Sequence, residues 1–516
     1  MNNFAQLPGD CTLLYNPSFE QLDEMIAAMP NAQKTKHGNW NVSTRVTSRS
    51  APSTFVITET PEKHSMKTIT PEEGKKIAEK QNKYMQGKTM IVIDGFIGDD
   101  PSFRTKARLI VEQSSANIAA MQKTMYYTPP DYKNEDYEPE VTVIMTPGLD
   151  MPDYPDNRVI TVDLENNVTR VCNSDYFGES KKGGLRMWNN IVYKRGGLAL
   201  HAGGKIIPTR EGDKTILIIG LSGTGKTTTT FTNQNNSQPV QDDFVALMPD
   251  GKVYASEAGC FAKTFGLNPE TEAVIHGATI SKNAYLENVS QNEDGELDFF
   301  DTSYTKNGRA VFSLKAIENA ASAQEINKAD ALIILNRNEN VIPAITHLSG
   351  SQAAAYFMLG ETTGTSAGGA SEEGKALRVP GTNPFFPLLD DFQGNRLKDL
   401  LGTIDMEVFM MNTGSIGGAP SNDFSKKIKI PHSSSIVKGI AENTIQWEKD
   451  MDFGYEVATH VPDITDEELL QPKKLYNRTD RIQEYEVNIK RLKRERAHFF
   501  KQYPQLETDI VEIFNN

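Results

Sequence analysis

Cysteine is scarce: there are three in 516 residues, at positions 11, 172 and 260. Spaced so widely, they offer neither a metal-ligand pattern nor a disulfide framework, and they fit a reducing compartment. Long apolar runs are missing too. None approaches the roughly 18 residues that span a bilayer. The opening MNNFAQLPGDCTLLYN lacks the basic start and apolar core of a signal peptide. A cytoplasmic location with no membrane partner is the expectation. Positive charge is in deficit, with 54 Lys and Arg against 68 Asp and Glu, a formal net charge of −14. That balance speaks against nucleic acid or an anionic membrane as partner. An anionic small substrate would need its own local basic site.

What is present is ordinary for a globular chain: 38% hydrophobic and 24% charged residues, without repeats or low-complexity tracts. The length suggests two or three domains. Strand-like runs rich in β-branched residues occur at 54–58 (TFVIT), 89–94 (TMIVID), 141–145 (VTVIM) and 159–162 (VITV). Residues 71–85 read as a helix with acids in its first turn, and 128–140 as a polar loop. Further on, 215–219 (TILII), 331–335 (ALIIL) and 408–411 (VFMM) are short continuous apolar strands, as in a sheet covered on both faces. The stretch 360–387 is rich in Gly, Ser, Thr, Glu and Pro and is a candidate lid. The last forty residues are helical by pattern. Their basic run 489–503 (IKRLKRERAHFFKQY) reads as a solvated helix face rather than a binding patch.

The strongest signal is Gly220-Leu221-Ser222-Gly223-Thr224-Gly225-Lys226-Thr227, directly after the apolar strand 215–219. This is G-x-x-x-x-G-K-[ST] in its required context. Glycines let successive N–H groups turn toward phosphate oxygens, and the following helix adds its positive end. Lys226 can reach the β and γ phosphates, and the Thr227 hydroxyl can ligate Mg²⁺. Downstream, Asp242 and Asp243 in QDDFV suit a metal-holding position near those phosphates. Upstream stand Lys181 and Lys182 among glycines, and His201 in LHAGG. Singly, each reads as a charged turn or a core histidine. Lys182, His201 and Asp243 flanking one P-loop in order shift the reading toward a metal site.

In these blocks the chain resembles the ATP-dependent phosphoenolpyruvate carboxykinase family, from about 49 to 436 and most strongly over 176–309. The blocks are YFGESKKGG (176–184), LHAGGK (200–205), GLSGTGKTTT (220–229), VQDDF (240–244), EAGCFAKTF (257–265), AYLENVSQNEDGELDFFD (284–301) and KNGRA (306–310). Upstream, IVIDGFIGDDPSFRTKARLIVE (91–112) continues the likeness. The resemblance implies an α/β fold of two domains with mixed sheets: a substrate-side domain over 1–200, a nucleotide domain over 201–516 with a lid near 360–387, and the active site in the cleft between. It implies decarboxylation of oxaloacetate to an enolate, which takes the γ-phosphoryl of ATP to give phosphoenolpyruvate, CO₂ and ADP. By the same resemblance Lys182, which would have to be neutral, holds Mn²⁺ with His201 and Asp243, while Thr227 holds the Mg²⁺ that travels with ATP. Arg49 and Arg309 clamp carboxylate and phosphoryl oxygens. Tyr176 and Lys181 orient substrate or CO₂, Lys226 and Lys263 neutralise phosphoryl charge, and Asp242 positions metal-bound water. The nucleotide would further meet Thr228, Lys427 and Ile428.

Three places depart from the family pattern. Arg49 stands in SRSAPST, without the lysines usual after it. Phe244 occupies a commonly acidic position. Lys427, in KKIKI (426–430), replaces the usual arginine. A monomer or small homo-oligomer is expected. The alternatives are a P-loop kinase of another substrate, against which Tyr176–Lys182 and His201 argue, and a nucleotide sensor without turnover.

Overall fold

The computed structural model describes residues 7–128, 137–221, 223–363, 375–419 and 421–515. Two eight-stranded mixed sheets dominate. The first takes its strands from the first third of the chain. In spatial order they are Thr12–Tyr15, Thr89–Ile97, Thr105–Glu112, Val141–Thr146, Val168–Cys172, Val159–Asp163, Thr54–Ile57 and Thr68–Ile69. All four strands expected from β-branched runs are there. Their near-continuous burial follows from cover on both faces. The helices Ala116–Met125 and Phe177–Lys194 lie on one side, and the helix Pro71–Met85 on the other.

The helix Pro71–Met85 forms over the expected residues because its start is specified locally. Thr70 accepts a hydrogen bond from the Glu73 N–H at 3.2 Å, and Pro71 takes the first position, where no N–H is needed. Of the expected loop at 128–140, residues 129–136 lie outside the described residues.

The second large sheet runs Gln238–Gln241, Ala202–Thr209, Gly212–Ile219, Ala331–Asn336, Glu407–Asn412, Ile345–Leu348, Glu456–His460 and Gln446–Lys449. At its centre Gly212–Ile219, Ala331–Asn336 and Glu407–Asn412 are mutually parallel. They are the three apolar runs read as buried strands. A five-stranded sheet joins distant parts of the chain: Gly259–Lys263, Arg309–Ser313, Tyr285–Glu287, Trp40–Val42 and Ala32–Lys34. A three-stranded sheet, Leu198–Leu200, Val245–Leu247 and Val253–Ala255, lies beside the P-loop.

The C-terminal run is a helix, Ile482–Phe500, and most of its basic residues face solvent. One does not. Arg496 is fully buried on the stripe formed by Tyr485, Asn488, Ile489, Leu492 and Phe500. Its guanidinium forks onto Glu361, with Nη2 to Oε2 at 2.7 Å and Nε to Oε1 at 3.1 Å, and Arg378 reaches the same carboxylate at 3.0 Å. Glu361 opens the stretch read as a candidate lid. There Glu361–Thr363 pairs with Ala376–Arg378 as a two-stranded ribbon, and the residues between, 364–374, lie outside the described residues.

Burial would raise the Glu361 carboxyl, but Arg496 and then Arg378 outweigh it and hold the group at about 2. A depressed carboxyl contributes stability above its unfolded value near 4.5, and that contribution is lost as pH falls toward 2. Arg496→Met should therefore cost about 3 kcal/mol at pH 7, the order expected for breaking a buried ion pair. Thermal unfolding should show a lower Tm and a flatter loss of stability between pH 4.5 and 2 than in the parent.

Candidate active site

The phosphate-binding loop emerges from the central strand Gly212–Ile219 and enters a six-residue helix, Lys226–Phe231. Gly223 and Gly225 have φ of +89° and +93°, a region that glycine alone enters freely. Ser222 lies outside the described residues. The loop is held from behind by the Thr413 hydroxyl on Thr224 O and by Arg337 Nη1 on Gly223 O, each at 2.9 Å. So short a helix is marginal alone. Lys205 braces its far end from inside the sheet. This fully buried side chain donates to Thr229 O (3.2 Å), Thr232 O (2.6 Å) and Gln234 Oε1 (2.6 Å). Burial lowers Lys205 to about 7, and the three oxygens at the helix's C-terminal end accept its hydrogens. Nothing in LHAGGK marked Lys205 for that task.

Asp243 gathers the site. Its carboxylate accepts from Lys182 Nζ at 2.7 Å and Lys226 Nζ at 2.6 Å, with Lys181 Nζ at 2.9 Å and His201 Nε2 at 2.8 Å. Lys181 and Lys182 come from the helix Phe177–Lys194, Lys226 from the P-loop helix, and His201 from the residue between two strands. Burial favours the neutral acid, but Lys181, Lys182 and Lys226 outweigh it and hold Asp243 well below the usual carboxylate range. Lys181 also donates to Glu257 Oε1 at 2.6 Å. Burial pulls Lys181 down, yet Asp243 and Glu257 raise it overall, so it stays charged. Among the described residues Lys182 has no second carboxylate in contact, and burial lowers it to about 8 against the pull of Asp243. Two adjacent lysines thus differ in character because of Glu257, a residue 76 positions from Lys181 in sequence that the motif reading did not single out.

These groups open on a cleft of about 350 Å³. Arg49, Tyr176, Lys182, His201, Lys226, Asp242, Asp243, Lys263 and Arg309 all line it, as do Leu221, Gly223, Gly225, Thr227 and Thr228 of the loop. Gly220 ends the strand side of the loop, and Lys181 stands buried behind the wall. Lys263 and Arg309 are direct cross-strand partners, and Arg309 lies over the Phe261 ring at 4.9 Å. Tyr176 rests on Gly178, where a Cβ would come within 2.3 Å of its ring. The helix after Tyr176 has no local cap, and Glu287 supplies one from a remote strand by accepting from the Phe177 N–H at 2.9 Å. Arg49 is fixed by its neighbour. The Ser50 N–H donates to Glu179 Oε1 at 2.6 Å, and Arg158 donates to the Ser50 hydroxyl at 2.8 Å. Lys427 and Ile428 are not among the cleft walls. Lys427 is exposed on a strand paired with Ser415–Ile416, and Ile428 is buried, donating to Gly414 O at 3.0 Å.

A family model described as phosphoenolpyruvate carboxykinase, of the ATP-dependent class, matches residues 11–467. The chain belongs to the ATP-dependent phosphoenolpyruvate carboxykinase family. Proteins named phosphoenolpyruvate carboxykinase (ATP) are similar over most of its length. One from Aeropyrum pernix is 32% identical over 419 residues, 79% of each chain. One from Bradyrhizobium sp. (strain ORS 278) is 30% identical over 421 residues, 78% of this chain and 76% of that one. One from Alkaliphilus oremlandii is 27% identical over 519 residues, 97% of this chain and 95% of that protein.

Carboxykinases of this class use a divalent cation, and the local chemistry suits one. His201 stands between two acceptors, with Nδ1 2.8 Å from Thr382 O and Nε2 2.8 Å from the Asp243 carboxylate. Burial and then Lys226 lower the imidazole to about 4, so it is neutral and holds a single ring proton between the two acceptors. With that proton on Nδ1, Nε2 and the Asp243 carboxylate would be two donors suited to a cation, with Lys182 alongside. The Thr382 carbonyl is the outer partner that fixes the ring. It comes from the candidate lid stretch, whose end, 380–386, is almost wholly buried against the site. Phe244 stacks on His201, with centroids 4.8 Å apart and planes at 21°, and Lys182 Nζ sits 4.5 Å from the Phe385 ring centre. Where the family commonly has an acid, an aromatic ring here fills the space and orients the imidazole. Asp242 is buried beside Thr227 with Oδ1 unpartnered, a second acceptor suited to a hydrated cation at the P-loop.

His201→Ala should raise the Kd for Mn²⁺, read by electron paramagnetic resonance, by about tenfold or more. ATP affinity should stay within about twofold. An unchanged Mn²⁺ affinity would remove His201 from the donor set.

Proposed function

We propose that this cleft converts oxaloacetate and ATP to phosphoenolpyruvate, CO₂ and ADP. The observation that carries the reading is the single carboxylate of Asp243 shared by the P-loop lysine and by Lys182 and His201. A phosphoryl-transfer loop and a metal donor set thereby meet at one point. A simple kinase needs the first and has no use for the second.

Lys182, His201 and Asp243 would hold Mn²⁺, and Thr227 a Mg²⁺ accompanying ATP, with Asp242 placing its water. When bound, the divalent cation supplies the electron sink that decarboxylation requires. The chain's own residues do the rest. Arg49 and Arg309 present planar guanidinium forks to carboxylate and phosphoryl oxygens. Tyr176 orients oxaloacetate from one wall, and Lys181, kept charged by Glu257, adds fixed positive potential behind CO₂ and the enolate. Lys226 and Lys263 neutralise charge on the transferring phosphoryl group. The buried aromatics Phe244, Phe261 and Phe385 keep water scarce where a free enolate would pick up a proton and become pyruvate.

We assign the substrate side to residues 1–200 and the nucleotide side to 201–516. We place this chemistry in the cytoplasm; among the described residues no helix is long and apolar enough to cross a membrane.

Purified protein given oxaloacetate, ATP, Mg²⁺ and trace Mn²⁺ should form phosphoenolpyruvate and ADP in equal amounts. Omitting ATP or the metals should abolish both. ADP without phosphoenolpyruvate would redirect the reading to another phosphoryl acceptor.

A further inference from the structure

Behind the wall of the cleft lies a charged pair that the proposed reaction leaves without a task. Glu179 and Arg186 stand two turns apart on the helix Phe177–Lys194, 0% and 3% exposed, and neither lines the cleft. Arg186 Nη2 lies 3.4 Å from Glu179 Oε2, while its Nε and Nη1 make no hydrogen bond among the described residues. Burial lowers the Arg186 guanidinium, Glu179 opposes the shift, and Arg49 is near enough to add to it. An arginine stays charged through such a shift. Keeping a buried guanidinium near a second one is unfavourable unless something holds both in place.

The other oxygen of Glu179 shows what is held. Oε1 accepts at 2.6 Å from the Ser50 N–H, the peptide N–H directly after Arg49. The remaining polar groups of Ser50 are taken as well. Its hydroxyl accepts from Arg158 at 2.8 Å, and its carbonyl accepts from the Thr54 hydroxyl at 2.8 Å and the Ser53 N–H at 3.0 Å. On the other side of Arg49, the Thr47 carbonyl accepts from Asn307 Nδ2 at 2.5 Å, and the same nitrogen lies 3.2 Å from the Tyr176 hydroxyl. Arg49 thus stands between two anchored backbone positions. The contact to Glu179 ties its peptide link to the helix that bears Lys181 and Lys182. Arg186 secures Glu179 from the far side and rests on the Phe385 ring at 5.7 Å, the ring that also faces Lys182 Nζ at 4.5 Å.

We propose that Glu179 and Arg186 are positioning residues for oxaloacetate: Glu179 fixes the Arg49 backbone to the lysine-bearing helix, and Arg186 holds Glu179 in place from within. A guanidinium clamp works only where its fork meets both carboxylate oxygens, so a shift of about 1 Å at Ser50 would be felt at the substrate. The stretch from Ser50 to Thr54, SAPST, has no charged side chain to steer the loop, which leaves that steering to the helix. The proposal rests on the carboxykinase reading, with Arg49 on the substrate carboxylate.

Steady-state kinetics with oxaloacetate and calorimetric titration with Mg²⁺-ATP test it on the parent, Glu179→Met/Arg186→Met, Arg49→Ala and the triple variant. Removing both charges together leaves no unpaired buried ion, a change that folds tolerate, so Tm should stay near that of the parent. Loss of positioning predicts that kcat/KM for oxaloacetate falls about ten- to hundredfold, while ATP affinity stays within about twofold. Glu179→Gln/Arg186→Met, which keeps an acceptor for the Ser50 N–H, should lie between the parent and the double methionine variant. On the Arg49→Ala background the methionine pair should add less than about twofold, because its effect runs through Arg49. An unchanged kcat/KM for oxaloacetate, an equal weakening of ATP, or a full further loss on the Arg49→Ala background would overturn the proposal. If the double methionine protein does not fold, the Gln/Met variant carries the same comparison, and parent-like kinetics in it would overturn the role of Arg186. Parent-like oxaloacetate kinetics in Arg49→Ala would sink the clamp and the pair with it, a result distinct from an Arg49→Ala defect that the pair does not share.

Discussion

Everything at the site hangs on the carboxylate of Asp243. Three ammonium groups and an imidazole converge on its two oxygens inside a closed pocket. Without it, three like charges would face one another where water cannot screen them, and burial would strip protons from one or more. Asp243 also sits where the chain leaves Gln238–Gln241 in the large sheet and enters Val245–Leu247 in the small one. One side chain thereby locks the helix Phe177–Lys194, the P-loop helix and two sheets into a common geometry. The arrangement is stable yet unsaturated in one respect. A phosphate chain would offer Lys226 more negative charge than a shared carboxylate does.

The framework of this site was legible in the sequence because its parts are local. The P-loop declares itself by glycine spacing after an apolar strand, and that strand and its two parallel neighbours are continuous runs that burial on both faces demands. The helix Pro71–Met85 carries its own start signal in Thr70 and Pro71. The order of the motif blocks directs Lys182, His201 and Asp243 toward one P-loop, and the fold joins them. What stayed hidden is non-local. Glu257, which keeps Lys181 charged, and Glu287, which caps the helix bearing both lysines, act across breaks of 76 and 110 residues. The strands Ala32–Lys34 and Trp40–Val42, three residues each, are too short to show a period. They exist because Tyr285–Glu287 offers an edge to pair with.

The basic C-terminal helix shows why composition misleads at single positions. A charged run reads as a wet surface, and most of it is one. Arg496 falls on the same helical stripe as Leu492 and Phe500, so the fold buries it, and Glu361 makes that burial tolerable. The polar stretch after 360 carries the matching half of the lesson. Gly, Thr, Asn and Pro read as loop, yet residues 380–386 form a packed wall whose backbone carbonyl at Thr382 orients His201. A main-chain oxygen leaves no trace in a residue-type pattern.

The same division between local and remote signals explains how the charged wall of the cleft is built. The charged end needs convergent groups from many elements, because a fixed field for a phosphoryl group must be built before the ligand arrives. That requirement forces long-range pairs such as Lys181 with Glu257. The reaction centre is thereby held by a network that no one residue can leave.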